Sequence, residues 1–179
     1  MNFSMNYKVE HGGEGRDYIF RCPGVENTLF REIGSFSVTV SDPVNTVWVG
    51  RFESGPGGIS GVFPTPCENT VCVINKGQGY WVPVLNPQNF KYIPSIPIKE
   101  MFKIFEVGLV IFKDNVSLVA YDKKGLRWRT PRISYDGIRI EKVDSLMMTG
   151  WVWDGPSDTD VHFSIILENG KYTGGCNSL

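Results

Sequence analysis

The feature that most restricts what this chain can fold into is its punctuation. Turn-forming residues interrupt it repeatedly, leaving runs short enough for paired strands of about five residues. They stand at Asp42-Pro43, 55–61, Lys76-Gly77-Gln78, Asp114-Asn115, 122–125, Asp144-Ser145, Gly155-Pro156 and Asn169-Gly170. Between them lie runs rich in β-branched and aromatic residues, such as Phe-Ser-Val-Thr-Val at 36–40 and Thr-Val-Trp-Val-Gly-Arg-Phe at 46–52. Such side chains suit a pleated, half-buried surface. Further strands are expected at 71–75, 79–85, 109–112, 116–121, 126–130, 137–143, 146–153 and 161–167. Four glycines and a proline within 55–61 exclude regular structure there and predict a loop, with mobility as one reading. Prolines 83, 87, 94 and 97 make the stretch between them extended and poor in hydrogen bonds, an edge strand or a belt. Only 99–107 could hold a helix, since Met101, Ile104 and Phe105 share a helical face; nine residues would make a short one at best, and whether a helical turn forms there is left open by the sequence. The predicted fold class is all-β: an antiparallel β-sandwich or open barrel, a propeller-like meander as the alternative, and at most one short helix.

Composition narrows the class further. Of 179 residues, 41% are hydrophobic, 13% aromatic and 21% charged, which is too apolar and too aromatic for a disordered chain. No run approaches the roughly 20 apolar residues of a membrane-spanning helix. A chain of this length supports one core, so a single β domain over 1–179 is expected, with 1–16 flexible. Residues 1–16 contain no apolar stretch suited to a secretion signal, and four cysteines are too few for a disulfide scaffold; together these predict a cytoplasmic location. Cys22, Cys67, Cys72 and Cys176 together would make a four-thiolate zinc set. Cys67 and Cys72 lack the usual two-residue spacing, however, and Val71 and Val73 make Cys72 read as a buried strand thiol. No cofactor is expected.

The net charge of −1 conceals a division. Residues 123–142 hold seven basic and two acidic side chains, a balance of +5, whereas 144–168 hold five acidic ones and no Lys or Arg. Near-neutrality therefore argues against a wholly basic nucleic-acid binder and leaves room for a charged protein-binding face. On a regular strand Arg127 and Arg129 would share one face, about 7 Å apart, with Leu126, Trp128 and Thr130 on the other. Arg127, Arg129, Arg132, Trp128 and Arg139 are accordingly the candidate binding residues for an acidic partner. The alternative, and the favoured one, is that the two segments neutralise each other as cross-strand pairs.

Asp154, Asp158, Asp160 and His162 form a candidate metal set, since 158, 160 and 162 would share a strand face. Gly155-Pro156-Ser157-Asp158-Thr159-Asp160 also has ordinary turn composition, which is the preferred reading. His11 and His162 are the only histidines, and no nucleophile elbow, zinc-protease motif or phosphate loop is present. Trp151 and Trp153 flank Val152 and would share a face, forming a stacking platform if that face is exposed and core if it is buried. A domain without disulfides favours core.

The run Val-Ser-Leu-Val-Ala-Tyr-Asp-Lys-Lys-Gly-Leu-Arg-Trp-Arg-Thr-Pro-Arg at 116–132 resembles one repeat of the quinoprotein-type β-propellers, in which Ala-x-Asp ends a strand, a glycine turn follows and a Trp lies on the next strand. The stretch 109–175, 67 residues, also resembles a group of uncharacterised bacterial all-β proteins through Asp-Lys-Lys-Gly-Leu-Arg-Trp (122–128), Asp136-Gly137-Ile138, Gly150-Trp151, Gly170 and Thr173-Gly174-Gly175. One copy of the repeat is visible, so the resemblance implies a meandering antiparallel sheet and no activity. The functional expectation is a non-catalytic bacterial β-domain that binds a protein, with a metal- or carboxylate-dependent hydrolase using Asp154, Asp158, Asp160 and His162 as the alternative.

Overall fold

The computed structural model describes residues 3–21, 36–41 and 47–176. The turn expected at Asp42-Pro43 and the thiol of Cys22 lie outside them. The fold is all-β, with sixteen strands among the described residues in four sheets, none closed into a barrel. Contacts gather into two compact units, Met1–Ile98 and Lys99–Leu179.

In the first unit β1 (Lys8–His11), β2 (Arg16–Phe20), β3 (Ser37–Ser41) and β4 (Val47–Phe52) form one sheet in the order β1-β3-β4-β2, with β2 parallel to β4. A second, antiparallel sheet follows chain order: β5 (Gly61–Pro64), β6 (Thr70–Asn75), β7 (Gln78–Pro83) and the edge strand β8 (Lys91–Tyr92). The two sheets share a core in which Phe20, Val38, Val40, Trp48 and Phe52 of the first meet Val71, Val73, Tyr80 and Val82 of the second. Phe20 stacks on Phe52 with ring centroids 4.3 Å apart. Polar atoms of buried aromatics tie the layers together: Trp48 Nε1 donates to the Val84 carbonyl (2.9 Å) and Tyr80 Oη to the Glu53 carbonyl (2.8 Å). The glycine-rich stretch 55–61 is a loop packed backbone against backbone. Gly57 N–H donates to the Lys76 carbonyl, Ile59 N–H to the Ile98 carbonyl and Gly77 N–H to the Ile59 carbonyl. A Cβ at Gly58 would lie 2.3 Å from the Ile98 carbonyl oxygen and one at Gly55 2.4 Å from that of Lys76, so close backbone approach requires glycine at these two positions.

The second unit is two four-stranded meanders. One is β9 (Glu100–Ile104), β10 (Leu109–Lys113), β11 (Leu118–Asp122) and β12 (Gly125–Arg129); the other is β13 (Ile138–Val143), β14 (Met147–Asp154), β15 (Thr159–Ile166) and β16 (Tyr172–Gly174). Ile104, Leu109, Ile111, Leu118, Ala120 and Trp128 of the first pack against Ile138, Met148, Val152, Phe163 and Ile165 of the second. Lys113, only 7% exposed, crosses between them, its Nζ donating to Glu100 Oε1 (2.5 Å) and to the Ile138 carbonyl (2.6 Å).

One local question left open by the sequence is settled and one expectation is corrected. Residues 99–107 form β9 followed by a 3₁₀ turn, Phe105–Val107, ended by Gly108 at φ 62°. A nine-residue helix would stand alone at high nucleation cost, whereas pairing with β10 from Glu100↔Lys113 to Ile104↔Leu109 satisfies the same backbone cooperatively. A second 3₁₀ turn, Pro87–Asn89, opens on its proline. The regular alternation expected of 126–130 fails. The register steps from Ala120↔Trp128 to Tyr121↔Leu126, leaving Arg127 in a β-bulge. Trp128 and Thr130 remain buried, but Leu126 is turned out, 54% exposed.

Several residues that carry the sequence resemblance have structural work here. Asp122 Oδ1 accepts the Lys124 N–H (2.7 Å) and closes the β11–β12 turn. Trp128 donates its indole N–H to the Leu167 carbonyl (2.8 Å) and lies flat over Gly170, where an added Cβ would come within 2.7 Å of the ring. Gly170→Ala therefore combines a left-handed backbone (φ +73°) with a collision and should cost about 2–5 kcal/mol of unfolding free energy. Gly108→Ala, at φ +62° with open space around it, should cost only about 1–2 kcal/mol. Urea unfolding of the two variants measures the difference, and equal losses would contradict the Trp128 contact.

Candidate functional site

A single strand pattern builds the most distinctive surface of the second unit. Along β14, Met148, Gly150 and Val152 are buried and Thr149, Trp151 and Trp153 alternate with them on the other face. Along β15, Phe163 and Ile165 point inward while Asp160, His162 and Ser164 face out. Pairing aligns these into rows: Arg139 of β13 opposite Trp151, Trp151 opposite His162, and Trp153 opposite Asp160. The His162 ring meets Trp151 edge-on, centroids 5.2 Å apart at 77°. Trp153 is 39% exposed and meets the Tyr135 ring edge-on at 6.4 Å. Arg139 Nη2 reaches Asp160 Oδ2 at 3.3 Å. The expectation that Trp151 and Trp153 belong to the core is thereby corrected. Val152, between them, fills the core, and a period of two sends both indoles to the opposite face.

The predicted basic residues fare differently from one another. Arg127 donates through Nε to the Glu168 carbonyl (2.8 Å) and pairs with Asp122 (3.3 Å). Arg132 donates to the carbonyls of Ser134 (3.0 Å) and Tyr135 (2.7 Å) and lies over the Tyr135 ring. Lys142 pairs with Asp144 (3.2 Å). Trp128 is in the core rather than on a binding surface. Arg129, Lys123 and Lys124 are exposed and form no ion pair among the described residues. Arg127 and Arg129 lie on β12 and Arg139 on β13, in separate sheets. The +5 and −5 segments thus meet through Arg139–Asp160 and Lys142–Asp144, and they do so only in part.

Of the candidate metal residues, Asp160 and His162 share a face as their spacing predicts. Asp154 ends β14 and spends Oδ2 on Ser157 Oγ (2.5 Å), and this hydrogen bond holds its carboxyl below the usual range. Asp158 sits in the intervening turn at φ 52°. Among the described residues no three His, Cys, Asp or Glu side chains are gathered as a metal would require. Cys67, Cys72 and Cys176 are free thiols. Cys176 donates to the Trp153 carbonyl (3.3 Å), and its thiol is pushed up first by burial and then by the neighbouring Asp154 carboxylate. Asp144, capping the β13–β14 turn through Leu146 and Met147 N–H groups, is likewise held low. The row Arg139–Trp151–His162 was not readable beforehand because a bulge between Ile140 and Lys142 sets the β13 register; the Trp-Val-Trp alternation was the available signal.

No helix among the described residues is long and apolar enough to cross a membrane. Compared with known proteins, the chain matches no family model and no curated protein sequence.

A carboxylate whose folded pKa is depressed stabilises the native state above its unfolded pKa, and the contribution is lost as pH falls through the folded value. Acid unfolding below about pH 4 should therefore be shallower in the Asp154→Asn variant than in the parent. Fluorescence-monitored stability across that range checks the sign; an unchanged acid limb would contradict the Ser157 assignment.

Proposed function

We propose that the chain is a non-catalytic protein-binding module whose contact surface is the outer face of β13–β15, centred on Trp151 and Trp153 with Arg139 at its flank. One observation carries this reading: two large indoles stand on the sheet face that the core does not use. Exposed aromatics that packing does not require are what protein interfaces concentrate, with Trp and Arg foremost among energetic anchors. The Arg139–Asp160 pair supports the reading rather than opposing it. Both side chains are more than half exposed, so their mutual attraction contributes no more than about 1 kcal/mol. A guanidinium held that weakly exchanges readily to a carboxylate on a docking protein.

The test compares the tagged protein with a Trp151→Ala/Trp153→Ala double variant as bait in a cell extract, with quantitative mass spectrometry of what each retains. Proteins bound through this face should be depleted at least about tenfold on the variant, whose far-UV circular dichroism should match the parent. Identical sets of retained proteins would overturn the assignment of this face.

A further inference from the structure

Strand β1 is the outermost strand of its sheet and, among the described residues, pairs only with β3. The Gly12 N–H donates to the Ser37 carbonyl at 3.3 Å, extending the register Lys8↔Ser41 to His11↔Val38 by one pair. In an antiparallel ladder hydrogen-bonded pairs alternate. The even-numbered residues of β1 therefore bond to β3, and the N–H and C=O groups of Val9 and His11 turn toward the open edge. Side chains divide the other way: Lys8 and Glu10 are exposed, whereas Tyr7 and Val9 pack on the core of the unit. A groove of about 490 Å³ runs beside this edge, lined by Tyr7, Val9, Val62 and Phe63 together with the charged Lys8 and Glu10 of the strand itself.

Three of the other edges carry devices that discourage strand addition, whereas β2 and β9, like β1, have neither proline nor bulge. Strand β5 ends in Pro64, and β12 and β13 are interrupted by bulges at Arg127 and Glu141. Strand β1 has neither proline nor bulge. Its sequence, Lys-Val-Glu-His, is also complementary to itself. An antiparallel copy must bring odd-numbered residues opposite odd-numbered ones, so the possible registers differ by steps of two. Centring on Val9 sets Val9 opposite Val9 and Lys8 opposite Glu10 twice. One step either way sets Lys8 opposite Lys8, or Glu10 opposite Glu10. Opposed charges stabilise and like charges destabilise such directly facing pairs, so charge selects a single register.

We propose that two copies of this chain associate edge to edge through β1, antiparallel and centred on Val9, continuing each four-stranded sheet into its counterpart. Val9 of the second copy then meets Val9 beside the groove. With only four residues of ladder on each side the association is weak and reversible.

Sedimentation velocity of the full chain tests it. The parent should show a sedimentation coefficient that rises with concentration between about 10 μM and 1 mM, the range in which weak complexes form. Lys8→Glu and Glu10→Lys each replace two attractive pairs by two repulsive ones and should weaken the dimer about tenfold or more. The double swap Lys8→Glu/Glu10→Lys restores opposite charges at both pairs and should return the dimer to within a few-fold of the parent. An equimolar mixture of the two single variants should form a heterodimer. Both positions are exposed, so circular dichroism should show every variant folded. A parent monomeric over the whole range, single variants that associate like the parent, or a double swap that fails to restore association would each overturn the proposal.

Discussion

The interaction on which the rest depends is a buried indole that reaches from one sheet to a carbonyl beside the other. In the first unit Trp48 of β4 donates to the Val84 carbonyl just beyond β7; in the second, Trp128 of β12 donates to the Leu167 carbonyl just beyond β15. Both rings are nearly inaccessible, at 2% and 8%. Each hydrogen bond contributes only about 1 kcal/mol net, but a buried carbonyl left without its donor costs about 1–3 kcal/mol. The indole body adds dispersion and apolar burial at the same point. Such a contact fixes the sliding of one layer on the other, which apolar packing alone does not. In the second unit it also dictates Gly170, since no side chain fits beneath the ring.

Once the layers are fixed, strand alternation decides what is left outside. Val152 is committed to the core, so Trp151 and Trp153 are delivered to the opposite face together with Arg139, Asp160 and His162. The surface proposed for protein binding is thus a consequence of the core register. The charge division has the same origin. Strand pairing brings Arg139 across β14 to Asp160, and the β13–β14 turn brings Lys142 to Asp144, while β12, in the other sheet, keeps Arg129 and the turn lysines unpaired.

Much of this was legible in the sequence because turn chemistry and a period of two are local properties. The strands beginning near 37, 70, 109, 118 and 138, the β11–β12 turn closed by Asp122, and the glycine loop at 55–61 follow from residue types alone. What could not be read depends on partners distant in the chain. Residues 99–107 have a helical pattern, and only β10 makes them a strand. Leu126 alternates correctly with Trp128, and only the bulge opposite Tyr121 turns it outward. Whether Trp151 and Trp153 or Trp128 belonged to the core was decided by which faces of two sheets meet, a relation no window of sequence contains.

The tryptophans have two separate roles, Trp128 as an interior clamp and Trp153 as a surface residue that folding does not require. Equilibrium denaturant unfolding of Trp128→Phe and Trp153→Phe tests this most directly. Trp128→Phe should lose about 2–4 kcal/mol, because it removes buried volume and strands the Leu167 carbonyl, whereas Trp153→Phe should change stability by no more than about 0.5 kcal/mol. Comparable losses in the two variants would contradict this division of roles.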